Sequence, residues 1–562
     1  MKYVKFIFLF HTLIVSTSLL AQIQFISPLP NAIIEKNGNF GLIRFQGSSA
    51  KDQNVSMTFV DSLGKAISGF SDLQLSFKNG VLDSTIPCPV SKKFSARWKS
   101  DLDSGTIDNL AVGHLFAIAG QSNAQGWSPP PFITPIGDIR MLRNDSSWQK
   151  GEDPTGGMYA SPWIGFANRM QQLLQDSLPI GLINVAVGGT SLVTPLSNGR
   201  WVRNDTLHED TATLYGKALI KFLEAGSRFD GIFWIQGETD ANGVPADAYV
   251  SAFKQLVMNF REDLKVPFQF FHLQIGGQVA NPDKINWGII REAHRTLPLS
   301  ILVGTAVGNT IGWDGIHYSA TAEMMVGDRF AGAIAKEVYH LDNPYYPPML
   351  PQNSISMTQC TSKDPYSGYK IVLECRRNGL PVILKAVDTV RGFQIRINNT
   401  MLDTSEVFSL IESADRSKVD IFSKNTTFSP SDEIQLSYAI TGDVSSVNVS
   451  DDDTSTTLPN YLVGFRDMQV LAPSSVPVYI VGLTTPNPFT TETAFSLYMG
   501  NPEPVSYSIY DISGKEIYSL DLGLMSEGKH IINLKNGHLA GGVYEIVVTA
   551  GNTVKTFKIV VL

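Results

Sequence analysis

Phe116–Trp127 reads FAIAGQSNAQGW. An apolar run stops at Gly120, and Ser122 follows between Gln121 and Asn123. Gly, Ser and Asn are ordinary turn residues, so the stretch alone is a turn. It becomes chemistry only if a histidine base, an orienting acid and oxyanion donors occur elsewhere. Working outward from it, HLFAIAG, GLINVAV, GIFWIQG, FQFFHLQIG and ILVGTAVG read as strands. Between and after them SPWIGFANRMQQLLQD, YGKALIKFLEAG, DAYVSAFKQLVMNFREDL, NWGIIREAHRT and SATAEMMVGDRFAGAIAKEV read as helices, Ser161 capping the first with Pro162 in its first turn. Strands alternating with helices predict a parallel sheet covered on both faces. Sites in such folds sit on loops at the C-terminal strand ends, where Ser122 falls.

Three other strand ends carry polar residues: Gly188-Gly189-Thr190-Ser191, Gln236-Gly237-Glu238-Thr239-Asp240 and Asp314-Gly315-Ile316-His317. All should reach the same sheet edge. His317 could take the Ser122 proton on one ring nitrogen while a carboxylate holds the other. Read alone, His317 could equally cap the next helix, Glu238 and Asp240 could be surface acids, and Gly188-Gly189 a tight turn. A glycine amide can approach an alkoxide closely, so Gly189 is a candidate oxyanion donor, with the Ser122 amide and the Gln236 side chain completing the hole.

These blocks, Gly120-Gln121-Ser122-Asn123, Gly188-Gly189-Thr190, Trp234 to Asp240 and Asp314 to His317, resemble those of the SGNH/GDSL hydrolase superfamily. Within it they are similar to the sialic acid-specific acetylesterase and acetylxylan esterase group, carbohydrate esterase family 6. The resemblance implies a multidomain protein around a flavodoxin-like α/β/α sandwich that removes acetyl groups from sugars without a cofactor or metal. By position it implies Ser122 as nucleophile, His317 as base, Asp314 as acid with Glu238 supporting, and Gly189, Gln236, Gln121 and Asn123 around the oxyanion and substrate. The wider superfamily has asparagine in the third block, where Gln236-Gly237-Glu238 stands here, so either Glu238 or Asp314 could orient His317.

The chain is long enough, at 562 residues, for several domains. Residues 1–21 read as a signal peptide with Lys2 and Lys5 before a short apolar stretch interrupted by His11; a membrane anchor is the alternative. Alternating patterns predict an all-β module over 22–112, the α/β domain over 113–342, a Pro-rich linker over 343–351, a second β module over 352–476 and a third over 477–562. In the last, NPF at Asn487–Phe489, YDISGKEI, LAGGVYEIVV and the closing FKIVVL resemble the sorting domain of the type IX secretion system of Bacteroidetes. That resemblance implies export through periplasm and outer membrane, to the medium or the cell surface, with the secretion machinery as partner. The modules at 22–110 and 352–475 resemble, less specifically, the accessory regions of sialate O-acetylesterase-like proteins.

A net charge of −8 argues against nucleic-acid binding, and no segment after the N-terminus is apolar enough to span a membrane. Cys360 and Cys375 are candidates for a disulfide, leaving Cys88 buried, and no zinc-ligand spacing occurs. Asp451, Asp452 and Asp453 could bind a cation but read better as a solvated loop. Arg143, Arg200 and Arg203 are candidates for a sugar carboxylate, with Asn198–Asp210 lining the cleft. Two other readings are a lipase or thioesterase, disfavoured by the lack of an apolar lid, and a non-catalytic glycan-binding protein, disfavoured because Ser122 and His317 are both present.

Overall fold

The computed structural model describes residues 23–562 except 102, 177, 196–198, 280–285, 309–311, 313, 342–348, 352–354, 378–379, 386, 388, 413–415, 443, 445–446, 453–460, 473–478, 484–485, 500–502, 527, 538 and 552. The expected signal peptide, most of the Pro-rich linker and Asp453 lie outside the described residues.

The central region runs β1 (Ser104–Gly120), β2 (Ile139–Leu142), α1 (Pro162–Leu174), β3 (Ile180–Asn184), α2 (Leu214–Glu224), β4 (Gly231–Ile235), α3 (Ala246–Leu264), β5 (Phe270–Gln274), α4 (Asn286–Arg295), β6 (Ser300–Thr305) and α5 (Ala320–Glu337). The strands lie in the order β2-β3-β1-β4-β5-β6, every neighbouring pair parallel. From β1 the chain steps one way to β3 and then the other way to β4, β5 and β6. That reversal opens a crevice at the C-terminal end of β1.

Strand side chains alternate between two cores. Phe116, Ile118, Phe233, Ile235, Phe271 and Leu273 meet Trp163 and Phe166 of α1 and Phe330 and Ile334 of α5. Leu115, Ala117, Ile232, Trp234 and Phe270 face the opposite way, toward Tyr215 of α2, Tyr249 and Phe253 of α3 and Ile290 of α4. The helices start where the caps say they should: Ser161, Thr213 and Ser319 each accept an amide from their own first turn.

β1 runs unbroken for 17 residues through position 112. Its first half pairs antiparallel with Phe94–Lys99 of the N-terminal β region, and its second half joins the parallel sheet. Burial alternates at first and then becomes continuous, as a strand passing from a half-solvated sheet into one covered on both faces requires. Beyond α5, residues 350–471 form a ten-stranded sheet with its own core, and two smaller sheets between Tyr479 and Val561 enclose Phe495, Leu497, Tyr507, Ile546 and Val548. No helix among the described residues is long and apolar enough to cross a membrane. Cys360 and Cys375 are unpaired, so the candidate disulfide is not formed. Cys88 is buried, and burial pushes its thiol up to about 12. Asp451 departs from the solvated-loop reading, being buried against Arg377 at 2.6 Å, whereas Asp452 is exposed and meets Arg416 at 2.8 Å.

Candidate active site

β1 ends against β4 at a point where only glycine fits. Gly120 has φ +129°, and a methyl group there would lie 2.1 Å from the Ile235 carbonyl oxygen. Gln121 N–H donates to that carbonyl at 2.9 Å, and one helical turn, Ser122–Gln125, follows. The amides of Ala124 and Gln125 both donate to the Gln121 carbonyl at 2.9 Å. Ser122 heads the turn, so its own N–H has no intrahelical acceptor, nor any other among the described residues. Its hydroxyl is likewise without a partner among the described residues, and 7% of the residue is exposed.

The end of β3 folds over this turn. Val187 N–H donates to the Gly120 carbonyl at 3.1 Å, and Gly188 N–H donates to Gln125 Oε1 at 2.8 Å. A Cβ placed on Gly188 would sit 3.5 Å from Ser122 Cβ. Gly189 is left-handed at φ +69°, and its N–H meets no acceptor among the described residues. Two amides without an acceptor among the described residues, those of Ser122 and Gly189, thus lie in the serine turn and in the loop folded over it.

The end of β4 points inward instead. Gln121 Oε1 accepts from Gln236 Nε2, Gly237 N and Thr239 N, each at 3.3 Å. The Gln236 amide also donates to Asp240 at 2.7 Å and to the Thr190 carbonyl at 3.3 Å, while its oxygen accepts from Tyr249 OH at 2.8 Å. Asp240 in turn accepts the amides of Leu192, Val193 and Thr194 at 2.7, 3.1 and 2.9 Å. Gln236 is fully buried, so the expectation that its side chain serves the oxyanion is corrected: its donors are committed to holding the Gly189 loop against β4. Gln121 is also buried and turns its side-chain oxygen to the end of β4. Asn123 is buried, donates to Glu238 Oε1 at 2.6 Å, and accepts Tyr318 N–H at 3.3 Å. It thereby ties the serine turn to the residue after His317.

Asp314 and His317 face this turn from the loop after β6. Asp314 Oδ2 hydrogen-bonds His317 Nδ1, and its Oδ1 accepts the amides of Ile316 and His317 at 3.1 and 3.0 Å. Partial burial works against the Asp314 carboxylate, but the His317 amide, the His317 ring and the Ile316 amide outweigh it and hold its pKa below the usual range. The imidazole is stacked on Trp127, with ring centroids 5.6 Å apart and planes at 22°. Trp127 is fixed by donating to Gln125 Oε1 at 3.0 Å. No hydrogen bond joins Ser122 Oγ to His317 in this conformation. Glu238 makes no bond to His317; it is buried, burial raises its pKa, and its second oxygen has no partner.

Trp127 and Gln125 are site residues that motif reasoning passed over, although both lie in the first stretch quoted. The spacing of Gln125 and Trp127 about Ser122 was the available signal. Of the three arginines, Arg203 is engaged by Asp205, Glu262 and Asp263, and Arg143 donates to the carbonyls of Lys150, Glu152 and Pro154. Arg200 is exposed beside the Gly189 loop and donates to the Val193 carbonyl at 3.2 Å, with no carboxylate partner among the described residues.

Ser122 and the Asp314–His317 pair thus stand on loops that leave the C-terminal ends of β1 and β6 in a parallel sheet with helices on both faces. The chain is a carboxylic ester hydrolase. Residues 112–336 match the family described as carbohydrate esterase, sialic acid-specific acetylesterase, and residues 485–562 match the secretion system C-terminal sorting domain. The central domain thus belongs to that esterase family, and the C-terminal domain directs the chain to type IX export, to the cell surface or the medium. No curated protein matches the chain. Among solved structures, a carbohydrate acetylesterase from Xanthomonas citri, XAC1771, is similar at 16% identity and TM-score 0.57, over 78% of this chain and 97% of that one. NanS is matched at 16% identity and TM-score 0.32, over 40% of this chain and 96% of that one.

Proposed function

We propose that the protein is a secreted carbohydrate O-acetylesterase whose 113–342 domain is a flavodoxin-like SGNH sandwich using Ser122, His317 and Asp314. The observation that supports this most is the Asp314–His317 pair standing opposite a serine turn where two amides, those of Ser122 and Gly189, have no acceptor among the described residues. Asp314 holds the proton on His317 Nδ1, leaving Nε2 as base. Ser122 Oγ attacks the acetyl carbonyl carbon while Nε2 takes the hydroxyl proton. The carbonyl oxygen becomes an alkoxide, met by the N–H groups of Ser122 and Gly189. The C–O bond to the sugar breaks, and His317 returns the proton to the departing sugar oxygen. Water, deprotonated by His317, then attacks the acyl-enzyme, and acetate leaves as Ser122 recovers its proton. Glu238, with Asn123, braces the serine turn against the His317 loop.

The substrate class is an acetylated sugar, of the sialic acid or xylan type. Arg200 is exposed beside the Gly189 loop without a carboxylate partner among the described residues, which favours an anionic sugar. Acetate release from O-acetylated sialic acids and from acetylated xylan, measured side by side, tests this. Preference for the sialic acids is expected. Equal or better turnover of xylan removes the anionic-sugar reading, and no acetate from either removes the carbohydrate reading.

A further inference from the structure

Arg291 on α4 is completely buried, and no carboxylate pairs with it among the described residues. Among the described residues every hydrogen bond of its guanidinium goes to a main-chain carbonyl, and the group lies over the Trp287 ring, 5.8 Å from its centroid. Nε donates to Ile275 and Gly276 at 3.3 and 3.1 Å, and Nη2 also donates to Gly276. Nη1 turns the other way, to Ala439 and to Thr441 at 2.8 Å, both in the 352–476 module. A flat fork of five donors is the side chain that can hold two backbone segments at once. Burial opposes its charge, with the nearby Tyr318 acting against that, and draws its pKa down to about 9.

The two segments lead to the catalytic loop. Residues 275–279 continue from β5; there Gln278 N–H donates to the Gly442 carbonyl of the module at 2.8 Å. The next residue, Val279, donates its N–H to the Gly315 carbonyl at 2.8 Å, between Asp314 and His317. The contact is reinforced nearby. Gln274 exchanges bonds with both N–H and C=O of Gly464 at 2.8 Å each, and Gly288 N–H donates to the Ile440 carbonyl at 2.9 Å. A run of hydrogen bonds thus passes from module to 275–279 to the Asp314–His317 loop.

We infer that the 352–476 module is part of the catalytic scaffold and that Arg291 is the positioning residue that locks it to the Asp314–His317 loop. This rests on the triad reading above. A small displacement of a base from its productive position costs up to about 100-fold in rate, and it acts on turnover, since the residues that touch the sugar are unchanged. Arg291→Lys keeps the charge but cannot fork. In the full-length chain it should lower kcat by about 10- to 100-fold on an acetyl ester, with KM within about twofold. Gly464→Ala approaches from the module side: its Cβ would meet Arg291 Cδ at 2.9 Å and remove no hydrogen bond. It should lower kcat in the same sense, by less.

Circular dichroism establishes that each variant is folded; if Arg291→Lys is not, Gly464→Ala decides. A folded variant with unchanged kcat overturns the inference. A raised KM at unchanged kcat also overturns it, and makes the module a sugar-binding surface instead. Ser122→Ala is assayed alongside. If it stays active the triad reading itself has failed, whereas an inactive Ser122→Ala beside a fully active Arg291→Lys confines the failure to Arg291.

Discussion

Two carboxylates flank the candidate base, and their settings are opposite. Asp314 lies at the cleft wall, surrounded by three donors, two amides and the imidazole, and its charged form is favoured. Glu238 lies under the serine turn with one donor, Asn123, one unpartnered oxygen, and a pKa raised by burial. Both come from loops at strand ends with acid-bearing motifs. Proximity to a histidine does not define an orienting acid; the donors that stabilise its charge do.

Both acids serve a mechanism that stands or falls with Ser122. Ser122→Ala should reduce acetylesterase turnover by about 10³-fold or more, because triad members act as a unit. Hydrolysis of p-nitrophenyl acetate measures it, and a variant keeping a tenth of the activity removes Ser122 from the mechanism. Next, Asp314→Asn should cost about 10²- to 10³-fold: an amide presents a donor to His317 Nδ1, which moves the ring proton to Nε2 and disables the base. Glu238→Gln should cost about tenfold or less, since the amide oxygen can keep the Asn123 bond and the effect reaches His317 only through position. If Glu238→Gln is the more damaging change, the assignment of the two acids is reversed. Smaller again, Arg200→Met should raise KM about three- to tenfold for an acetylated anionic sugar, the size of one exposed charge contact. It should leave p-nitrophenyl acetate kinetics unchanged; an equal effect on both substrates would make Arg200 a support of the Gly189 loop instead.

Much of this was legible in the sequence for identifiable reasons. Strands buried on both faces appear as continuous apolar runs such as GIFWI, and helices such as Ala246–Leu264 repeat Tyr249, Phe253, Leu256 and Phe260 on one face. The short pair Ile139–Leu142 and Trp148–Lys150 was missed because strands this brief carry no periodic signal. The polar strand ends were equally legible, since Gly120, Ser122, Gly189, Asp314 and His317 break apolar runs. Which way an amide points was not. Gln121, Asn123 and Gln236 are the residue types that could line an oxyanion, yet Gln121 and Asn123 find Thr239 and Tyr318 on other loops, and Gln236 turns back to Asp240 of its own loop. Arg291 left no trace for a similar reason: it reads carbonyls, which every residue has, so no motif accompanies it.

The two acids should also differ in sign when stability is followed against pH, which is the smallest of these effects. The folded-state pKa of Asp314 is depressed, so its contribution is present above its unfolded value of 3.8 and is lost as pH falls through the folded value. Glu238 is the reverse. With a folded pKa raised above the unfolded 4.5, the folded state holds its proton longer than the unfolded state does, and stability declines as pH rises between those two values. Relative to the parent, Asp314→Asn should therefore lose most at neutral pH and approach the parent below about pH 4. Glu238→Gln should stand near or below the parent at about pH 4, because it leaves a buried amide unpartnered, and improve relative to it toward pH 8 as the buried charge is no longer required. Melting temperatures of the three proteins across this range measure it, with shifts on the order of 1–3 °C for a domain of this size. Parallel rather than opposed trends would mean that Glu238 keeps a charge the fold compensates, and the distinction between a half-buried orienting acid and a fully buried bracing one would no longer hold.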